Sequence, residues 1–371
     1  MLVERVSRFL CDPRAESFEE LALAVFAFQY ERVALYRTLC DGRGVSPATV
    51  RDWREVPAVP ALAMKRMALH ADEPQKVFRS SGTGMTAAAG QAGRGDGGDG
   101  IGQASGESGG RSVHYQPYPD LYRQAIECSF PRFCLPSLRT PAPMLSLVPT
   151  VEQAPDSSLA FMAAHVFDEW GAADSANAFG ERGVDVTRAR SWLGARQREG
   201  RPALVFATSF ALAQLIEALS RRFLHFRLAP GSVVFDTGGY KGRHQELSRE
   251  DLLSRIHTWL GVPPEQVVRE YGMTELLSQC YTANLLGGDP EVFVAPHWVR
   301  VRALHPETLA EQPAGEPGLL VVFDLANVGS VPHLLTEDLG AAEGEGFRLL
   351  GRAGGAELRG CSLTVEELSR G

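Results

Sequence analysis

A group of side chains suited to nucleotide binding follows an apolar run in the last third of the chain. The run beginning at Val267 reads as a strand, and Glu-Tyr-Gly-Met-Thr-Glu follows it at residues 270–275. This hexapeptide carries an aromatic ring (Tyr271), a hydroxyl (Thr274) and a carboxylate (Glu275). In an open α/β sheet, ligands bind at the carboxyl ends of the strands. A ring for a flat base, a hydroxyl for a phosphate and a carboxylate for Mg²⁺ therefore predict a nucleotide site.

A second candidate for nucleotide binding combines small and hydroxylated residues. A predicted strand over residues 76–78 is followed by Ser80, Ser81, Gly82, Thr83 and Gly84. Small side chains let backbone N–H groups approach phosphate oxygens, and the hydroxyls add further donors. The GxxxxGK(S/T) spacing of a Walker A loop does not occur. Taken alone, the segment is equally compatible with an ordinary Ser/Gly turn.

Two more segments offer groups that a nucleoside could use. Gly238 and Gly239 follow the predicted strand 232–235, and paired glycines would let a purine lie against the backbone. A tight turn explains such a pair equally well. Further along, Asp338 lies in Leu-Thr-Glu-Asp-Leu-Gly at residues 335–340. One carboxylate can accept two hydrogen bonds from a cis-diol, which few other side chains permit.

In their order along the chain, these segments resemble the motifs of adenylate-forming enzymes, the family of acyl-CoA synthetases and their relatives. Residues 270–275 resemble the Tyr-Gly-x-Thr-Glu motif, with Gly272 as its glycine. Residues 80–84 resemble the phosphate loop, although Gly84 stands where that loop usually has a second Ser or Thr. From Gly84 to Gly110, 11 of 27 residues are glycine, and we expect most of this tract to be a mobile loop.

The resemblance extends to the end of the chain and implies a role for each motif. Residues 335–340 are similar to the segment whose aspartate holds ribose, with Glu337 in place of the usual glycine. Gly351-Arg352 is similar to the hinge that follows it, where an arginine can reach ribose and phosphate oxygens in a forked geometry. The implied adenine contacts are Tyr271, Gly272, Gly238 and Gly239, and the implied ribose contacts are Asp338 and Arg352. The implied phosphate contacts are Ser80, Ser81, Gly82, Thr83, Gly84 and Thr274, and the implied Mg²⁺ ligand is Glu275.

Other segments narrow the resemblance to the acyl-protein synthetase (LuxE-type) family, the synthetase components of the fatty acid reductase of bioluminescent bacteria and their homologues. These are Gly-Gly-aromatic-Lys at 238–241, Gly-Glu-Pro-Gly at 315–318 and Arg-Gly-Cys-Ser-Leu at 359–363, within a resemblance covering about residues 75–368. In that family a cysteine near the C-terminus carries the acyl group as a thioester, and Cys361 matches it. Arg359 would lower the pKa of this thiol. A small buried residue is the other reading of a lone cysteine.

The resemblance implies that ATP and Mg²⁺ activate a carboxylic acid, most readily a fatty acid, as acyl-AMP, whose acyl group passes to a protein thiol. The implied partner is an acyl-accepting reductase or acyl carrier protein. Two alternatives stay open: a ligase that makes acyl-CoA or an amide, and a non-catalytic nucleotide-binding subunit. The identity of the acid is open too. His114 and His165 could line an acyl pocket, but a hydrogen-bonded core histidine is the preferred reading of each.

The short segment after Arg352 leaves open which cation would assist adenylation. The chain ends 19 residues after Arg352, so we expect it to lack the C-terminal domain that follows the hinge in most of the superfamily, with its catalytic lysine. Lys241 is a candidate replacement, although a surface lysine is the simpler reading.

Whole-chain properties exclude several classes of protein. The net charge of −8 gives no basic footprint for nucleic acid or an anionic membrane. No apolar stretch approaches the roughly 20 residues needed to span a bilayer, and we find no signal peptide. Because the cysteines form no CxxC pair, we expect reduced thiols in a cytoplasmic protein, without a zinc site or disulfide framework. These cysteines are Cys11, Cys40, Cys128, Cys134, Cys280 and Cys361. Homo-oligomerisation stays open.

Alternating short apolar strands and helices predict an α/β fold with a mostly parallel sheet, like the N-terminal domain of adenylate-forming enzymes. After residue 291 the pattern changes to β segments joined by Pro/Gly turns, which predicts a smaller β-rich subdomain. The predicted organisation is a helical region (1–75), an α/β core (76–290) containing the loop 84–110, the β-rich subdomain (291–350) and a short hinge segment (351–371). The first predicted helix begins at the capping box Ser17-Phe18-Glu19-Glu20 and stops at Gly42.

Overall fold

The structure of the protein is a computed structural model that describes residues 1–80, 111–238 and 247–354. The α-helices in these ranges are α1 (Leu2–Cys11), α2 (Phe18–Arg32), α3 (Ala34–Gly42), α4 (Asp120–Cys134), α5 (Ser158–Trp170), α6 (Val186–Glu199), α7 (Ser209–Ser220) and α8 (Arg249–Leu260). The strands are β1 (Val59–Pro60), β2 (Lys76–Arg79), β3 (Val113–Gln116), β4 (Met144–Ser146), β5 (Ala176–Asn177), β6 (Phe179–Gly180), β7 (Gly183–Val184), β8 (Leu204–Thr208), β9 (Val233–Thr237), β10 (Val267–Tyr271), β11 (Cys280–Thr282), β12 (Val292–Val294), β13 (Val299–Leu304), β14 (Pro317–Asp324), β15 (His333–Glu343) and β16 (Gly346–Arg352).

Five neighbouring strands form a parallel layer in the order β5–β4–β8–β9–β10. Alternate residues of β8 enter two different hydrophobic clusters: Val205 packs with side chains of α6, α7 and α8, whereas Phe206 packs with those of α4. Phe206 also stacks on Phe235 of β9, with ring centroids 4.3 Å apart. Burial on both faces explains the apolar runs 204–207 of β8 and 233–235 of β9, since parallel strands between helices are usually apolar.

Beyond β10 the same sheet continues with antiparallel pairing, in the order β11–β12–β16–β15–β14–β13. The short strand β1 joins it from the N-terminal region. It pairs in parallel with β15, so that Val59 lies opposite Leu334 and Pro60 opposite Leu335. The sheet therefore brings together the N-terminal region, the end of the parallel layer and the last described strands.

The predicted α/β fold class is confirmed, including the β-rich part after residue 291. The strand predicted to begin at Val267 is β10, which starts at that residue and extends to Tyr271. The predicted domain boundaries stay predictions, and the glycine-rich tract 84–110 lies outside the described residues. Among the helices of the described ranges, none has both the length and the apolar character required to cross a membrane.

The single helix predicted from Ser17 to Gly42 is wrong, because the chain forms two helices there. The predicted cap is present, since the Ser17 side chain accepts a hydrogen bond from the Glu20 backbone N–H. At Val33 the backbone becomes extended (φ −99°, ψ 93°), which separates α2 from α3. The break lets Tyr36 of α3 lie buried and donate a hydrogen bond to the Pro57 carbonyl over 2.9 Å. Packing thus outweighs the local helical pattern.

Candidate functional site

Tyr271, the last residue of β10, contacts Asp338 directly, and Asp338 in turn contacts Arg352. The ring of Tyr271 is buried, edge-on to Phe347 at 5.0 Å, and its hydroxyl donates a hydrogen bond to Asp338 Oδ2 over 3.0 Å. Asp338 of β15 lies opposite Arg352 of β16, and Arg352 Nε is 3.1 Å from Asp338 Oδ1. Strand register therefore assembles Tyr271, Asp338 and Arg352 from three separate segments.

Asp338 is largely withdrawn from solvent, whereas Arg352 is open to it. The Asp338 side chain is 11% exposed and that of Arg352 is 68% exposed. Burial raises the pKa of Asp338, while the charge of Arg352 and the hydrogen bond from Tyr271 oppose this rise. An accepting carboxylate beside an accessible guanidinium can bind a ligand that offers both hydroxyl donors and anionic oxygens.

Residues 335–340, which the sequence likens to a glycine-containing turn segment, lie within the eleven-residue strand β15. In this extended backbone Glu337 faces two cations. Its Oε2 atom lies 3.2 Å from Arg352 Nη1 and 3.8 Å from Lys65 Nζ. Lys65 ends the 3₁₀ turn Ala61–Lys65, which follows β1. The candidate site thus includes a lysine from the N-terminal region that the sequence motifs do not indicate.

The loop after β10 is fixed mainly through its backbone. His114 Nδ1 donates a hydrogen bond to the Thr274 carbonyl over 2.8 Å, and Asn327 Nδ2 donates to the Glu275 carbonyl over 2.9 Å. Buried Asp324 accepts from the backbone N–H groups of Leu277 (3.1 Å) and Ser278 (2.9 Å). These contacts position Thr274 and Glu275 without using their side-chain oxygens.

His114 matches the preferred reading as a hydrogen-bonded core histidine, since it is fully buried and burial lowers its pKa to about 4. Its neutral ring nevertheless serves the site, because it holds the Thr274 carbonyl. His165 lies elsewhere, on α5, and its Nε2 atom is 2.9 Å from Glu127 Oε1 on α4.

Glu275 connects the loop after β10 to the first candidate phosphate-binding segment. Burial raises its pKa, which a hydrogen bond from the Ser112 side chain and the charges of Lys65 and Arg352 partly counteract. The Ser112 backbone N–H in turn donates to Ser80 Oγ over 2.9 Å. Ser80, Ser112 and Glu275 therefore lie together. Mg²⁺ commonly uses one protein carboxylate and takes its other ligands from phosphates and water, so the donor set around Glu275 fits this ion.

Gly272 and Gly238 differ in what surrounds them. A Cβ atom on Gly272 would lie 2.0 Å from Glu270 Oε1, whereas one on Gly238 would meet no atom within 4 Å. Glu270 is buried and accepts a hydrogen bond from Thr237 Oγ1. Burial raises the pKa of Glu270 to about 7, against the lowering effect of that hydrogen bond. The glycine of the hexapeptide thus makes room for the glutamate that begins it.

Several predicted site residues lie outside the described ranges. They are Ser81, Gly82, Thr83, Gly84, Gly239, Lys241 and Cys361. Of the remaining cysteines, Cys40, Cys134 and Cys280 are buried, and Cys11 and Cys128 have their sulfur atoms 3.1 Å apart as free thiols. The roles of the predicted site residues outside the described ranges stay predictions, as do the ligand contacts assigned to the described residues.

Comparison with known proteins identifies the segment that carries most of this site. Residues 191–369 match the family model described as acyl-protein synthetase, LuxE. The match covers a little under half of the chain. The matched segment includes Tyr271, Thr274, Glu275, Asp338 and Arg352.

A curated relative and two solved structures resemble this chain. A long-chain-fatty-acid–luciferin-component ligase of Vibrio harveyi is 29% identical over 141 residues, which cover 35% of this chain and 36% of that ligase. The match thus spans about a third of the relative's length. Structures of 2-hydroxyisobutyryl-CoA ligase, one with 2-HIB-AMP and CoA in an open conformation and one with 2-HIB-AMP after adenylation, both have a TM-score of 0.61 and 14% identity. They cover 90% of this chain, which covers 69% and 67% of theirs. At this identity the likeness shows a shared fold alone.

Proposed function

We propose that this protein uses ATP to activate a carboxylic acid as an acyl-adenylate and then transfers the acyl group to a protein thiol. The observation that carries the proposal is the convergence of Tyr271, Asp338 and Arg352 beside the buried carboxylate of Glu275. The match of residues 191–369 to the LuxE family model supports the same reaction. The fatty acid named for the Vibrio harveyi ligase makes a fatty acid the first substrate to test.

The described residues suit the three parts of ATP. Asp338 can accept from the ribose hydroxyls, with Arg352 beside it as a donor to anionic oxygens. Gly238, with open space around its Cα, and Tyr271 are the proposed adenine contacts. Thr274 and Ser80 are the proposed phosphate contacts. Thr274 precedes Glu275 in the chain, and Ser80 is hydrogen-bonded to Ser112, which contacts Glu275.

In the first half-reaction a substrate carboxylate oxygen attacks the α-phosphorus of ATP. The new P–O bond forms as the bond to the pyrophosphate oxygen breaks, and pyrophosphate leaves with that electron pair. Donors held in advance at the phosphate oxygens stabilise the negative charge of the transition state. Glu275 would hold Mg²⁺, which when bound supplies further positive charge at the phosphates. His114 and Asn327 keep the Thr274–Glu275 backbone in place for both tasks.

In the second half-reaction the Cys361 thiolate attacks the carbonyl carbon of the acyl-adenylate. A C–S bond forms, the bond to the phosphate oxygen breaks, and AMP leaves with its electron pair. Cys361 is nine residues beyond Arg352, and an extended segment of that length reaches at most about 30 Å. We propose an acyl-accepting reductase or carrier protein as the partner that takes the acyl group from Cys361.

Pyrophosphate exchange into ATP, measured with carboxylic acids of different chain length and with aromatic acids, tests the first half-reaction. We expect exchange with at least one acid, and exchange with none would overturn the proposal in favour of a non-catalytic nucleotide-binding subunit. Labelling with radioactive acid tests the second half-reaction. We expect Cys361→Ser to retain exchange but lose the covalent label. Label that persists in Cys361→Ser, or release of acyl-CoA when CoA is added to it, would refute transfer through Cys361.

A further inference from the structure

Lysine is rare in this protein, and one of its lysines lies at the candidate site. The chain contains 37 basic residues, but only Lys65, Lys76 and Lys241 are lysines. Lys76 lies over the rings of Phe78 and Phe161, about 6 Å from each centroid. Lys241 is outside the described residues. Lys65 is therefore the described lysine that lies near Glu337 and Glu275.

Pairing between distant strands positions Lys65. β1 pairs with β15 at Leu334 and Leu335, immediately before the 335–340 segment that contains Glu337. The 3₁₀ turn Ala61–Lys65 follows β1 directly, and its residues Ala61, Ala63 and Met64 are buried. Because the turn is anchored at both its strand and its apolar side chains, its last residue has a defined position beside β15.

Lys65 makes only a long ion pair and is partly open to solvent. Its Nζ atom is 3.8 Å from Glu337 Oε2, and its side chain is 34% exposed. Such a long, partly exposed ion pair is weak, so an incoming anion can replace it at low cost. Glu337 keeps a second cation, Arg352, at 3.2 Å. Lys65 also acts electrostatically on Glu275, the proposed Mg²⁺ ligand.

We propose that Lys65 binds the phosphates of ATP during adenylation and leaves Glu337 paired with Arg352. This inference rests on the proposed function, since it assigns the cation that neutralises charge as pyrophosphate departs. A lysine ammonium is a compact charge on a flexible stem, which suits it to follow phosphate oxygens as their charge changes. The bonds made and broken are those of the first half-reaction, and Lys65 contributes charge without gaining or losing a proton.

Lysine variants of the full chain test the proposal through pyrophosphate exchange. Lys65→Met keeps most of the side-chain volume without the charge, Lys65→Arg keeps the charge, and Lys76→Met is the matched control. We expect Lys65→Met to lower exchange about 100-fold, the usual result of removing one charge-stabilising donor. Lys65→Arg should recover part of this loss, and Lys76→Met should match the wild type. If the wild-type chain exchanges but Lys65→Met stays within threefold of Lys76→Met, the assignment of Lys65 is wrong while the proposed function stands. A wild-type chain that exchanges with no acid overturns the proposed function and, with it, this inference.

Affinity labelling of the wild-type chain gives a second test that does not depend on the variants folding. An adenosine polyphosphate that ends in a pyridoxal group forms an imine with a lysine near the phosphates, and borohydride makes the bond permanent. With three lysines in the chain, peptide mapping identifies the labelled residue without ambiguity. We expect ATP-protectable label on Lys65. Protectable label confined to Lys241 or Lys76 would refute the proposal.

Discussion

The hydroxyl of Tyr271 donates a 3.0 Å hydrogen bond to Asp338, which connects the carboxyl end of β10 to the middle of β15. Arg352 contacts the other carboxylate oxygen of the same aspartate. The ring of Tyr271 is meanwhile held edge-on to Phe347. One buried carboxylate is thus oriented from two sides, and each contact can be removed separately.

Removing the Tyr271 hydroxyl should weaken ATP binding more than it weakens the fold. In Tyr271→Phe, Asp338 loses the donor that orients it, and we expect the KM for ATP in pyrophosphate exchange to rise about tenfold. Tyr36→Phe is the matched control, because it deletes a buried tyrosine hydrogen bond of 2.9 Å outside the site. The KM should be unchanged in Tyr36→Phe. Equal KM values for the two variants would contradict a role for the Tyr271–Asp338 contact in nucleotide binding.

Glu270 should make the protein less stable as pH rises. Burial raises its pKa from 4.5 to about 7, so between these values the folded state binds more protons than the unfolded state. The free energy of unfolding must then fall with increasing pH across that window, by at most about 1.4 kcal/mol per pH unit for this group. Glu270→Gln removes the titrating group and should flatten the dependence. Urea denaturation at pH 5, 6, 7 and 8 measures it.

The neighbours of Glu270 affect how much the pH dependence of stability differs between the wild type and Glu270→Gln. Asp236 raises the pKa of Glu270 through its charge, and the buried groups Tyr122 and Cys134 of α4 and Tyr281 of β11 respond to Glu270 in turn. Burial also raises the pKa of Asp236, so this second buried carboxyl contributes a decline of the same sign that Glu270→Gln does not remove. Parallel curves for variant and wild type would show that Glu270 does not titrate in this window.

An alanine at Gly272 should act through Glu270. The new Cβ would displace Glu270 Oε1, which lies 2.0 Å from its position, and disturb the hydrogen bond from Thr237. We expect Gly272→Ala to lower the free energy of unfolding by about 1 kcal/mol. Gly238→Ala is the control, since its Cβ meets open space. In a Glu270→Ala background the cost of Gly272→Ala should largely disappear, and an unchanged cost would mean that another contact is responsible.

Asp324 should be among the most sensitive positions outside the proposed ligand contacts. Its carboxylate accepts from the backbone N–H groups of Leu277, Ser278 and Ala326, all of them in buried surroundings. Asp324→Ala leaves the Ser278 and Ala326 N–H groups unpaired, while the Leu277 N–H keeps Asn327 Oδ1 as an acceptor, and we expect a loss of about 3 kcal/mol in stability. Asp324→Asn keeps an acceptor and should lose less. Chemical denaturation of both variants checks this order, which a purely steric role for Asp324 would not produce.

Local patterns in the sequence predict much of the parallel layer. The apolar residues 233–235 form part of β9 because burial on both faces requires apolar side chains, and this requirement is visible locally. The break between α2 and α3 at Val33 is not visible in the local sequence, because it depends on the packing of Tyr36 after folding. The site residues divide in the same way. Tyr271 and Asp338 belong to motifs, whereas Lys65 reaches the site only through the pairing of β1 with β15.

The pairing of Ser80 with Ser112 has a consequence for how the chain can vary. The Ser80 backbone N–H donates to the Ser112 carbonyl over 3.0 Å, and the Ser112 N–H donates back to Ser80 Oγ. These two hydrogen bonds join the residue after β2 to the residue before β3. Ser80 and Ser112 are therefore adjacent in space although 32 positions separate them along the chain. Because doubling the length of a connection adds only about 0.6 kcal/mol to the free-energy cost of closing it, we expect a change in the number of residues after Gly84 to cost the fold little. A tag or a docking peptide inserted there, beyond the 80–84 segment that resembles a phosphate loop, should leave the described fold intact.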